Sequence, residues 1–167
     1  MDKHITAPFD KKQVEELHAG DYVYISGVIY SARDAAHKRM YDTLIENEND
    51  ESKLPIKLEG NVIYYLGPTP AREGQVIGSA GPTTSSRMDK YTPLILSKGL
   101  NGMIGKGKRS QAVIDAIVEN KAVYFAAVGG AGALLSKCIK KSEVVAYDDL
   151  GTEAIRKNGI AVHPVMG

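Results

Sequence analysis

The chain is poor in several things that would announce a chemistry. Of its 167 residues, one is cysteine, none is tryptophan and two are phenylalanine. A single thiol forms no disulfide within the chain and cannot supply the three or four thiolates of an iron–sulfur cluster. Cys138, behind "GGAGALLSK", reads as a small core residue rather than a nucleophile. The histidines His4, His18, His37 and His163 show no metal-ligand spacing, so a zinc site held by this chain gains no support. No run reaches the roughly 18 apolar residues of a membrane span. The start "MDKHITAPFDKK" has no apolar secretion segment. The cytoplasm is therefore the expected compartment, and no membrane partner is expected. Lys and Arg number 21 against 20 Asp and Glu, a net charge of +1, which exerts no global pull on nucleic acid. Without tryptophan, the nine tyrosines read as strand residues more than as a platform for stacking bases.

What is present is a chain 43% hydrophobic and 25% charged, expected to form a single globular domain over 1–167. "DKKQVEELHAG" predicts a short helix led by Asp10 and closed by Gly20, with Val14 and Leu17 on one face. "DYVYISGVIY" predicts a strand, and "SARDAAHKRMYDTLIENEND" a turn into a helix with Asp34 near its N-cap and Met40 and Leu44 buried, the polar stretch from Glu46 to Lys53 being loop. "GNVIYYLGP" predicts another strand, and "PAREGQVIGSAGP" a hairpin-like excursion. Pro93 in "KYTPLILSKG" fits only a first helical turn or a kink. "GMIGKG" predicts a short strand and turn, and Ser110 a cap for "QAVIDAIVENKA", with Val113, Ile114, Ile117 and Val118 as its buried stripe. "AVYFAAVGGAGALL" predicts a buried strand running into a Gly-rich turn and a helix start, "EVVAYDDLGTEAIRKNGI" a strand and a short helix, and "AVHPVMG" a last strand. The sum is a mixed α/β domain with its polar loops between strands and helix starts.

Three junctions share a chemistry: "YSARDAAHK" around Arg33, "GPTTSSRMD" around Arg87, and "GKGKRS" around Lys106. Each sets a cation beside small residues and a helix start, where free N–H groups favour anions. Two arginine forks and one lysine suit a dicarboxylate gripped at both ends. Plainer roles compete: Arg33 as an ion-pair partner of Asp34, Thr83 and Thr84 as turn residues, and "GKGKR" as a solvated basic turn. "GLNGMIGKGKR" also approaches a phosphate-binding loop, but Arg109 stands where a magnesium-binding Ser or Thr is required. "GGAGALL" carries Leu135 in place of the last glycine of a dinucleotide fingerprint.

The blocks "SGVIYSARDAAHKRM", "IYYLGP", "EGQVIGSAGPTTSSRMDKY", "GMIGKGKRSQAV", "YFAAVGGAGALL" and "LGTEAI" occur in an order that resembles the β subunit of class I fumarate hydratase, equivalent to the C-terminal domain of the single-chain enzymes. The resemblance covers about Ile25 to Ile155. It implies a swivelling β/β/α domain, mixed sheets with helices on one side. It also implies a hydro-lyase that adds water reversibly to fumarate to give L-malate. The family's oxygen-sensitive [4Fe-4S] cluster would be held by the cysteines of an α subunit, with an iron free to bind and polarise substrate. This chain would be inactive without that partner. By matching motif, Arg33, Arg87 and Lys106 would bind the substrate carboxylates, and Thr84 would donate a hydrogen bond to the substrate. Thr83 would be the base, with Lys106 stabilising its alkoxide, since an unactivated hydroxyl is a poor base. The tartrate dehydratase β subunit shares the "GPTTSxRM" pattern, which leaves tartrate as the alternative substrate. A non-catalytic module holding an anion or phosphate on the same three loops is the alternative of another class.

Overall fold

Val23, Ile25 and Ile29 alternate along "YVYISGVIYS" with residues of the opposite face, the period that commits a segment to a strand. The structure, a computed structural model, describes residues 2–9, 11–17, 22–65, 85–127 and 139–166. Within them the order is β1 (Asp2–Ala7), α1 (Lys11–Glu15), β2 (Tyr22–Ser31), α2 (Asp34–Glu46), β3 (Val62–Tyr64), α3 (Thr92–Ser97), β4 (Gly102–Gly105), α4 (Gln111–Glu119), β5 (Val123–Ala127), β6 (Ile139–Ala146) and β7 (Ile155–Met166). Short 3₁₀ turns cover Glu51–Lys53, Ser85–Met88 and Asp148–Glu153.

The described strands form one mixed sheet in the order β1-β2-β3-β4-β5-β7-β6. Neighbours from β1 through β5 run parallel, whereas β7 is antiparallel to β5 and β6. β7 also pairs antiparallel with nearly the whole of β2, from Tyr22↔Met166 to Ser31↔Arg156. One strand thus joins β5 back to β2, and the sheet closes on itself.

Alternation divides the core between the two faces. Val62, Tyr64, Ile104 and Phe125 join Val23, Ile25 and Ile29 in one cluster, to which the short α1 adds Val14. Ile63, Tyr65 and Met103 point the other way, into a cluster with Met40 and Leu44 of α2, Ile95 and Leu96 of α3 and Ala116 of α4. All three residues of β3 are buried, as expected of a strand covered on both faces.

Most expected elements are present, and three points differ. β1 had no strand signal, being a short, polar-rich "DKHITA"; it gains order by parallel pairing with β2. On α4, Val113 and Ala116 are buried, while Ile114 and Val118 are exposed, so the stripe is rotated from the expected one. β7 starts at Ile155, six residues before the expected last strand, because pairing with both β2 and β6 extends it. Asp34 lies beside the N-cap of α2, as expected, as the first residue of the helix; Arg33 holds the cap position without a side-chain capping bond. Ser110 does cap α4, accepting from Val113 N at 3.3 Å, and Pro93 does lie in the first turn of α3. The expected hairpin-like excursion, the "GGAGALL" turn and Cys138 lie outside the described residues, as do Asp10, His18 and Gly20.

Candidate active site

Parallel strands deliver their following loops to one edge, the usual ligand edge of an α/β sheet. Arg33 follows β2 and Lys106 follows β4. The backbone carries this edge beyond the strands: Ala32 N donates to Tyr64 O at 3.0 Å, Tyr65 N to Ile104 O at 2.8 Å, and Ser85 N to Lys106 O at 2.9 Å. That last bond docks the 3₁₀ turn bearing Arg87 against the loop bearing Lys106. Gly105 makes the approach possible, since a Cβ there would stand 2.2 Å from Ser85 Oγ and 2.7 Å from Tyr65 Cδ2.

Arg33 Nε lies 3.6 Å from Asp34 Oδ1, and Asp34 Oδ2 lies 4.0 Å from Arg87 Nη1. Two guanidinium groups from separate parts of the sequence therefore flank one carboxylate. Arg33 Nε and Asp34 Oδ1 are buried without a hydrogen-bond partner, so this contact is a loose ion pair rather than a closed fork. The Arg33 side chain is 24% exposed and that of Arg87 57%, leaving Arg87 free to reach a ligand. Beside Arg87 lies an open groove of about 670 Å³ that includes Asp34, Lys38, Asp89, Lys90 and Tyr91; Arg33 and Lys106 do not line it. Lys106 is exposed, brought near through its backbone. Thr83 and Thr84 lie outside the described residues.

Behind the cations are residues that sequence reasoning did not assign. His37 is fully buried, and its Nδ1 donates to Arg33 O at 2.8 Å. Burial pulls its pKa down to about 4, so the ring is neutral, and Nε2 has no hydrogen-bond partner. The ring meets Tyr65 edge-on, with centroids 5.2 Å apart.

The "GKGKR" turn is solvated at Lys106 and Lys108 only. Arg109, expected there as a solvated cation, has a side chain just 2% exposed. Its Nε donates to Asp89 Oδ1 at 2.8 Å, Nη1 to Tyr65 Oη at 3.1 Å, and Nη2 to Thr92 Oγ1 at 3.0 Å. The guanidinium also lies over the rings of Tyr65 and Tyr124, 5.1 and 4.9 Å from their centroids. Burial alone would lower its pKa, but Tyr65 and Asp89 hold it above the ordinary value. Burial raises the Tyr65 and Tyr124 phenols. Tyr124 Oη donates to Gly107 O at 2.9 Å; its single proton thus spent, it accepts from Ser85 Oγ at 2.7 Å. A basic residue in a glycine-rich turn carries no local mark of this burial; Thr92, Asp89 and Tyr65, the oxygen-bearing partners of its hydrogen bonds, lie 17, 20 and 44 positions away.

Among the described residues no group of three or more His, Cys, Asp and Glu could hold a metal. With one cysteine in the whole chain, its own thiols do not fit a four-iron cluster.

The family model described as the fumarase C-terminus matches residues 3–166. The chain is 36% identical over 163 residues to Leishmania major fumarate hydratase 2, covering 95% of this chain and 28% of that protein. It is 36% identical over 157 residues to the aerobic class I fumarate hydratase of Salmonella typhimurium, covering 93% of this chain and 26% of that protein. A Methanocaldococcus jannaschii protein assigned as an L(+)-tartrate dehydratase subunit beta is 38% identical over 145 residues, covering 84% of this chain and 72% of that protein. The chain belongs to the fumarase C-terminal domain family, and it spans little more than a quarter of the length of the fumarate hydratases it matches.

Proposed function

We propose that residues 1–167 act as the β-type unit of an iron–sulfur hydro-lyase that interconverts fumarate and L-malate, in a site shared with a cysteine-bearing α subunit. The observation that carries the proposal is the pair of distances, 3.6 and 4.0 Å, that sets Arg33 and Arg87 around one carboxylate at the ligand edge of the sheet. A C4 dicarboxylate would take one terminal carboxylate from these two arginines and the other from Lys106, with Thr84 donating a hydrogen bond to it. In the dehydration direction Thr83 would remove the proton from the carbon next to a carboxylate, while Lys106 stabilises the alkoxide that accepts it. The departing hydroxyl lies in the partner's half of the site, and no residue of this chain is assigned to it. The cluster belongs to that partner, since this chain's thiols do not fit it. No helix among the described residues is long and apolar enough to cross a membrane, which is in keeping with a cytoplasmic enzyme.

A second reading, tartrate dehydration, is favoured by the Methanocaldococcus relative, which this chain matches over most of its length. Anaerobic co-expression with the cysteine-bearing partner decides between them. Fumarate absorbance is followed after adding fumarate or L-malate, and oxaloacetate formation after adding tartrate, to the reconstituted pair and to each chain alone. Reversible fumarate–malate conversion by the pair only is the expected result. Activity on tartrate alone would move the substrate, and no activity with an intact cluster would leave an anion-binding module.

A further inference from the structure

We propose that Arg109 is a positioning residue: from behind the site it fixes the spacing of the three cation-bearing segments, and through them the affinity for a dicarboxylate. The inference rests on the reading of Arg33, Arg87 and Lys106 as carboxylate-binding groups. Those residues come from three separate segments; besides the backbone bonds that join them, a set of buried side-chain contacts between the segments converges on one guanidinium. Arg109, three residues after Lys106, grips Asp89, two residues after Arg87. The other oxygen of Asp89 accepts from Ser110 N at 2.9 Å, closing a ring between the two segments. Arg109 Nη2 bonds Thr92 Oγ1, whose hydroxyl donates to Met88 O at 2.7 Å. Its Nη1 bonds Tyr65 Oη; the Tyr65 ring meets His37, and His37 holds the Arg33 carbonyl. All three segments are reached within two or three contacts.

Neither direct catalysis nor stability accounts for this arrangement. At 2% exposure the Arg109 side chain does not reach a substrate, and Asp89 neutralises its charge. Buried ion pairs replaced by apolar groups of similar volume often leave stability unchanged or improved. A guanidinium, however, offers a planar fork that meets Asp89, Tyr65 and Thr92 in three fixed directions while its faces lie over aromatic rings. A lysine ammonium is a point charge without that fork and cannot set three directions at once.

Two variants test this: Arg109→Lys, and Arg109→Met combined with Asp89→Asn, which leaves no unpaired buried charge and keeps an acceptor for Ser110 N. In the 167-residue chain, amide exchange at Ser85 and Ser110 should quicken by about tenfold in both variants, with Ile63 and Met103 in the central strands still protected. In the chain reconstituted with its partner, kcat/KM for fumarate should fall by about tenfold, mostly through KM, and Arg109→Lys should not restore it. Unchanged exchange at Ser85 and Ser110 would overturn the proposal, as would faster exchange there with KM unaltered. If the wild-type pair consumes neither fumarate nor tartrate, the functional reading fails, and the exchange measurement alone decides whether Arg109 fixes the spacing.

Discussion

Asp34 Oδ2 lies 4.0 Å from Arg87 Nη1 while the other oxygen of the same carboxylate lies 3.6 Å from Arg33 Nε. The chain thus places an anion of its own where two arginines can act together, at distances too long for hydrogen bonds. A substrate carboxylate drawn to these arginines would have to compete with it. Asp34→Asn should lower KM for fumarate by about threefold at low ionic strength, with the gain shrinking at high salt as the exposed charges are screened. Steady-state kinetics at two salt concentrations measure it. A raised KM would mean that Asp34 orients Arg33 instead of competing for it.

Gly105→Ala should damage fold and site together. The added methyl would stand 2.2 Å from Ser85 Oγ and 2.7 Å from Tyr65 Cδ2, both held by neighbours: Ser85 by Tyr124 and Lys106 O, Tyr65 by burial. Overpacking of this kind costs about 1–3 kcal/mol. Because Ser85 must move, the Arg87 turn moves with it. Urea unfolding should show the lost stability, and fumarate turnover by the reconstituted pair should fall further than the unfolded fraction explains. Wild-type stability in this variant would mean that the Ser85 segment yields at little cost.

His37 gives the fold a pH dependence whose sign is fixed by its burial. Its folded pKa is lowered to about 4, so between that value and the ordinary value near 6.5 the unfolded chain binds the proton and the folded one does not. Stability from this group is therefore fully present above about pH 6.5 and is lost as pH falls toward 4. It amounts to about 2 kcal/mol between pH 7.5 and 5. Urea titrations at those two pH values should show the loss, and His37→Gln, which does not titrate, should lack that component. Equal pH dependence in both proteins would show that His37 is not the group responsible.

Legibility in the sequence followed the range of the interaction. β2, β3, α2 and the Ser110 cap were readable because alternation, helical spacing and caps are set by near neighbours. β1 was not, since its order comes from pairing with β2, twenty positions away in register. The α4 stripe was misjudged because periodicity counts apolar residues without knowing which side the sheet covers; Ala116 is buried and Val118 is 73% exposed. Arg33, Arg87 and Lys106 were singled out by their motifs, and the structure sets the first two around the Asp34 carboxylate. Arg109 reads in the sequence only as part of a solvated basic turn and as the wrong residue for a phosphate loop, and His37 only as a histidine without metal-ligand spacing. Their roles depend on Tyr65, Asp89 and Tyr124, whose approach no local pattern announces.

The central claim is that Arg33 and Arg87 act on one and the same dicarboxylate, and a double-mutant cycle tests it most directly. Arg33→Met, Arg87→Met and the double variant are assayed for kcat/KM on fumarate in the reconstituted pair, with unfolding midpoints measured alongside. If both arginines grip one substrate, the two losses should be coupled by about 1 kcal/mol or more, a coupling absent from the unfolding free energies. Losses on kcat/KM that add within about 0.5 kcal/mol would contradict the account, placing the two arginines at independent sites.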